Sequence, residues 1–127
     1  MSESAKLILV IEDDRDIRET LKDLLESEGY RVRLAINGRD ALDYLEDKGN
    51  ELPSVILLDL MMPVMDGFGF CERRKGVPAL RAIPVVIVSA GGTPPFPALL
   101  NEVEAFVKKP VDIDEILELV LRLGSAL

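Results

Sequence analysis

The feature that most constrains this chain is a repeated alternation of short aliphatic runs with longer amphipathic segments. Leu7-Ile8-Leu9-Val10-Ile11 has no polar residue on either parity, so as a strand it must be covered on both faces. Asp14 to Glu28 follows with Ile17, Leu21, Leu24 and Leu25 at helical spacing, and Gly29 supplies a stop. Arg31 to Ala35 reads as a short strand and Arg39 to Lys48 as a helix ended by Gly49. Val55 to Leu58 is a further buried strand running directly into Asp59. The pattern then predicts a helix over Phe68 to Lys75, a strand over Val85 to Val88 and a short strand centred on Phe106-Val107. A last helix carries Ile113, Ile116, Leu117 and Val120 on one face, widened by Leu119, Leu121 and Leu123, with Asp112 or Asp114 as N-cap. Five strand-then-helix units without a long linker call for a parallel sheet with helices on both faces.

At 127 residues the chain is one domain's worth, with no internal repeat, and a single core suffices. Hydrophobic residues are 48% of it and aromatics only 5%, so that core is aliphatic. A net charge of −8 argues against a basic nucleic-acid surface or attachment to anionic lipid. The absence of histidine removes histidine acid–base chemistry, serine or cysteine triads and histidine-containing zinc sites. A single cysteine, Cys71, permits no internal disulfide and reads as a buried helix residue. The start of the chain lacks a signal-peptide pattern and its apolar runs are too short to span a bilayer, so a cytoplasmic setting is expected.

In an open parallel sheet, ligands gather beyond the carboxyl ends of the strands. Glu12 and Asp13 end the first strand and Asp59 the third; if those strands are neighbours, three carboxylates share one crevice. Mutual repulsion makes such a cluster unfavourable without a cation, and hard oxygen donors suit a magnesium-type ion. Ser89 ends the fourth strand and Lys109 follows the fifth, adding a hydroxyl and an ammonium at the same edge. Carboxylate, metal, hydroxyl and ammonium are the parts needed to hold a transferring phosphoryl group, with a carboxylate as nucleophile. Each residue alone has an ordinary explanation: acids cap helices, serines form turns and lysines are solvated.

The order Glu12-Asp13, then Asp59-Leu60-Met61-Met62-Pro63 with Asp66-Gly67, then Ser89-Ala90, then Lys109-Pro110 resembles the receiver domain of bacterial two-component response regulators. The resemblance covers essentially the whole chain, 1–127, as one receiver domain, most like the single-domain class typified by the chemotaxis response regulator. It implies a flavodoxin-like, doubly wound five-stranded sheet of order 2-1-3-4-5. It also implies that Asp59 accepts a phosphoryl group from a phosphohistidine on a histidine kinase or histidine phosphotransfer protein. Asp13, Asp59 and the backbone carbonyl of Met61 would ligate Mg²⁺, with Mn²⁺ as a substitute, and Glu12 would act mainly through water. Ser89 and Lys109 would contact the phosphoryl group, Phe106 falls at an aromatic switch position, and Lys109-Pro110 is a candidate cis peptide. On this view the chain is a phosphoacceptor signalling domain rather than an enzyme, assisting only its own phosphorylation and dephosphorylation. It would be a monomer or weak homodimer with a protein target downstream and no direct nucleic-acid or membrane contact.

Gly91-Gly92-Thr93-Pro94-Pro95-Phe96-Pro97 departs from the family pattern and would leave a shortened or irregular fourth helix within about Ala98 to Glu102. Glu102-Val103-Glu104-Ala105 stands where the family carries a small Ala-Gly-Ala stretch. Met61 and Gly91 stand where fast-dephosphorylating members of the family can carry polar groups that orient the attacking water, so the resemblance implies slow loss of the phosphoryl group here. Arg73, Arg74 and Lys75 read as a solvated helix end. Two other classes compete. A phosphohydrolase with an aspartyl-phosphate intermediate would want a second Asp where Met61 stands and a substrate-covering cap. A phosphorylation-independent pseudo-receiver adaptor is the alternative that the unusual loop after Ser89 favours and the intact set Glu12, Asp13, Asp59, Ser89 and Lys109 opposes.

Overall fold

The computed structural model describes residues 5–60, 67–90 and 103–125. In chain order these form β1 (Leu7–Ile11), α1 (Arg15–Ser27), β2 (Arg31–Ala35), α2 (Gly38–Glu46) and β3 (Val55–Asp59). Then come α3 (Gly67–Lys75), a short α4 (Pro78–Arg81), β4 (Val85–Ser89), β5 (Ala105–Lys108) and α5 (Ile113–Ser125). The strands make one all-parallel sheet of order β2-β1-β3-β4-β5. Consequently every strand ends on the same edge.

The aliphatic runs are buried on both faces, as their lack of polar alternation requires. Alternate residues divide between two cores. Leu9, Ile11, Ile56, Leu58 and Ile87 join Leu42 and Leu45 of α2 and Phe70 of α3. Ile8, Val10, Leu57, Val86, Val88 and Val107 join Leu21 and Leu25 of α1 and Ile116 and Val120 of α5. Each fully buried aliphatic side chain contributes about 1.5–3 kcal/mol, so this double-sided packing fixes the register of the central strands.

Local signals set the helix ends. Asp14 caps α1 by accepting the Ile17 N–H at 3.1 Å, and Gly29 beyond its other end adopts φ +94°, which a side chain would resist. Asn37 caps α2 through the Asp40 N–H, and Asp112, rather than Asp114, caps α5 through the Glu115 N–H. Cys71 is buried in α3.

Three features depart from the sequence reading. Arg74 is not solvated: it is 3% exposed and donates from Nε to the Leu80 carbonyl and from Nη2 to the carbonyls of Arg81 and Ile83, at 3.1, 2.9 and 2.6 Å. The unanticipated turn of helix α4 turns these carbonyls inward, where they need a long donor. Glu104 also plays a part not foreseen, its carboxylate accepting the Val85 N–H at 2.7 Å where β4 begins. On α5, Ile116, Leu119 and Val120 are buried, but Ile113 and Leu121 are 48% and 62% exposed, so the sheet covers only part of that apolar face. The expected fourth helix at 98–102 lies outside the described residues.

Candidate functional site

β1 delivers its acidic pair as it leaves the sheet. The Glu12 N–H donates to the Ala35 carbonyl at 3.0 Å, a rung to the neighbouring β2, and the chain then turns into α1. Glu12 is buried while Asp13 is exposed. The Glu12 carboxylate is held from both sides: Oε2 accepts the Asp14 N–H at 3.1 Å, and Oε1 lies 3.0 Å from Lys109 Nζ. Arg18, on α1, reaches back so that Nη1 donates to the carbonyls of Glu12 and Asp13 at 3.0 and 3.2 Å. Sequence reading did not single out Arg18. The available signal was a long donor one turn into a helix that directly follows a strand end.

Asp59 is the last residue of β3 and is 4% exposed. Because β3 lies beside β1, one carboxylate oxygen from each of Glu12, Asp13 and Asp59 falls within 4.8 Å of the others. Lys109 Nζ stands 3.8 Å from Asp59 Oδ2 as well as close to Glu12, with its side chain 15% exposed. Its position is set by backbone: the Lys109 N–H donates to the Ser89 carbonyl at 2.8 Å, continuing the β4–β5 ladder in which Ser89 faces Lys108. The Lys109–Pro110 peptide is cis. Buried Ser89 ends β4 next to the strand that ends in Asp59. Half-buried Phe106 pairs with Ile87 and packs against the core on the α2–α3 face. Met61 and Gly91 lie outside the described residues.

Three carboxylates and one ammonium leave this crevice with an excess of negative charge in a partly desolvated place. Like charges this close destabilise one another unless a cation joins them. An all-oxygen set of this kind, without sulfur or imidazole, matches a hard divalent ion such as Mg²⁺ better than a softer transition metal. The donor set therefore fits the ion.

Comparison with known proteins decides the lineage. The model of the response regulator receiver domain matches residues 8–121. The chain belongs to that family. Receiver domains are signalling modules of two-component systems rather than classical enzymes. This receiver domain is 34% identical over 125 residues to the response regulator Rre1 of Synechocystis, covering 96% of the chain but 52% of Rre1. It is 37% identical over 111 residues to the response regulator PleD of Caulobacter vibrioides, covering 86% of the chain and 24% of PleD. The chain thus spans about half the length of the first of these relatives and about a quarter of the second. Among solved structures, the receiver domain of a signal transduction histidine kinase from Syntrophus aciditrophicus superposes with a TM-score of 0.81 at 33% identity, covering 95% of this chain and 91% of that one. A CheY-like receiver domain from Methanospirillum hungatei gives 0.83 at 28% identity, covering 95% and 94%. Among the described residues of the receiver domain, no helix is long and apolar enough to cross a membrane.

Proposed function

We propose that this receiver domain is a phosphorylation-controlled switch whose phosphoacceptor is Asp59. The observation that carries the reading is the meeting of Glu12, Asp13 and Asp59 oxygens within 4.8 Å beside the Lys109 ammonium. An Asp59 carboxylate oxygen attacks the phosphorus of a phosphohistidine on a kinase or phosphotransfer partner. The new O–P bond forms as the N–P bond breaks, and the imidazole nitrogen keeps the electron pair and takes up a proton.

Asp13 and Asp59 would hold Mg²⁺ (or Mn²⁺), with Glu12 contributing mainly through water and the Met61 carbonyl as a further ligand. The bound ion supplies charge neutralisation for the transferring oxygens. Lys109 supplies a second positive charge, already within a short movement of Asp59, and Ser89 offers a hydroxyl to a phosphoryl oxygen. Once phosphorylated, Asp59 would carry nearly two negative charges in place of one, and the end of β4 bearing Ser89 and the segment from Phe106 to Lys109 would adjust. That adjustment would be read by a protein target. Residues 1–127 would act as one such domain in the cytoplasm, with slow loss of the phosphoryl group because neither Met61 nor Gly91 can orient water.

Intact mass after incubation with acetyl phosphate and Mg²⁺ tests the assignment. The wild type should gain one phosphoryl group and Asp59→Asn none. Equal gain by Asp59→Asn on the same timescale would reject Asp59 as acceptor.

A further inference from the structure

We infer that Arg18 is a positioning residue for the cation site: by clamping the Glu12 and Asp13 carbonyls it sets the backbone from which the acidic pair reaches the ion. This rests on the reading above. The Glu12 N–H makes a sheet rung, whereas the carbonyls of Glu12 and Asp13 both turn to one guanidinium nitrogen, Arg18 Nη1, at 3.0 and 3.2 Å. Arg18 is itself fixed, since its N–H donates to the Asp14 carbonyl at 2.9 Å and places it in the first full turn of α1 behind the Asp14 cap. The loop between strand and helix is therefore closed on itself by a side chain that contacts neither Asp59 nor Lys109 among the contacts described.

Two effects of Arg18 on a bound cation have opposite signs. Its positive charge repels the ion, while its grip on two adjacent peptide units removes backbone freedom from the loop presenting the carboxylates. The charge is partly exposed and hence partly screened, whereas the fixed loop acts on every ligand it carries. The geometry points to positioning as the larger effect. Lysine would keep the charge, but its shorter side chain would not carry a donor nitrogen to the position from which Nη1 reaches both carbonyls.

The test is calorimetric titration of Mn²⁺ into the full chain at fixed pH and ionic strength, for wild type, Arg18→Ala, Arg18→Lys and the charge-matched control Arg39→Ala. Arg39 pairs only loosely with Asp43, at 3.7 Å on the exposed face of α2. Arg18→Ala should bind Mn²⁺ about 10-fold more weakly despite losing a repulsive charge, as removal of outer-shell supports generally does. Arg18→Lys should fall between it and the wild type, and Arg39→Ala should match the wild type. If Arg18→Ala binds as tightly as the wild type, or more tightly, the inference fails while the proposed function stands. Were Arg18→Ala not to fold, Arg18→Lys decides, and wild-type affinity in it overturns the inference. A wild type that takes up no Mn²⁺ brings down the proposed function and this inference together.

Discussion

Arg74 and Lys109 are both cations drawn into the interior, both set beside another basic residue in the sequence, and they are held in contrasting ways. Arg74 is almost wholly enclosed and gives Nε and Nη2 to three neutral carbonyls, at Leu80, Arg81 and Ile83. Lys109 keeps slightly more solvent contact and faces two carboxylates, at 3.0 Å from Glu12 and 3.8 Å from Asp59. Carbonyl dipoles have no alternative state, so the Arg74 arrangement is a fastening. Carboxylates can exchange partners, because a metal ion or a phosphoryl group changes the local charge by whole units. Burial of a cation thus says little about its role until its acceptors are known.

The contrast breaks most visibly at Arg74. Arg74→Met would remove the side-chain donors from the carbonyls of Arg81 and Ile83 and leave the Leu80 carbonyl only its backbone partner, the Ile83 N–H, and urea unfolding should show a loss of about 3–5 kcal/mol. A loss below about 1 kcal/mol would mean that water or a shifted backbone serves those carbonyls equally well. Adding Mg²⁺ should raise this variant's midpoint only as much as it raises the wild type's.

Lys109→Met should behave otherwise. In chelator it leaves Glu12 and Asp59 facing each other without the ammonium, and a smaller loss of about 1–3 kcal/mol is expected. Mg²⁺ should recover more stability here than in the wild type, since the ion takes over a charge that lysine had balanced. Phosphoryl uptake from acetyl phosphate should nevertheless slow by about 100-fold, because the ammonium is missing where negative charge develops. Uptake at the wild-type rate would make Lys109 a second fastening and erase the distinction.

The smallest effect concerns a third, surface-exposed kind of cation. Arg31 pairs with Glu51 through two contacts of 2.7 Å, both side chains about half exposed, while Tyr44 Oη donates to the Glu51 carbonyl. Hydrogen bonding from Arg31 holds the Glu51 carboxyl below the usual glutamate range. A lowered carboxyl pKa adds stability above the ordinary value and loses it as pH falls through the lowered one. Glu51→Gln should therefore show a slightly lower urea midpoint than the wild type at neutral pH, and the gap should close in acid. A gap independent of pH would assign the effect to packing rather than charge.

The acidic pair, Asp59 and Ser89 were legible because β1, β3 and β4 announced themselves as aliphatic runs ending in or followed at once by a polar residue. The same alternation called for helices on both faces, and the two cores bear this out. Arg74 was misjudged because a basic residue in a last helical turn ordinarily suits the dipole and the solvent, and α4 is too short for periodicity to reveal. Arg18 and Glu104 were missed for a related reason. Each acts through a backbone group, and backbone donors and acceptors leave no trace in residue identity.

From the linear chain alone came the parallel α/β class, the aliphatic core and the residue types gathered at one sheet edge, since periodicity and burial are local consequences of side-chain chemistry. Only the folded molecule decided which donors serve which carbonyls, that Lys109 lies nearer Glu12 than Asp59, and that Ile113 and Leu121 of α5 stay uncovered. Those outcomes depend on distances between segments brought together by strand order, and hydrogen bonds and charges discriminate at tenths of an ångström.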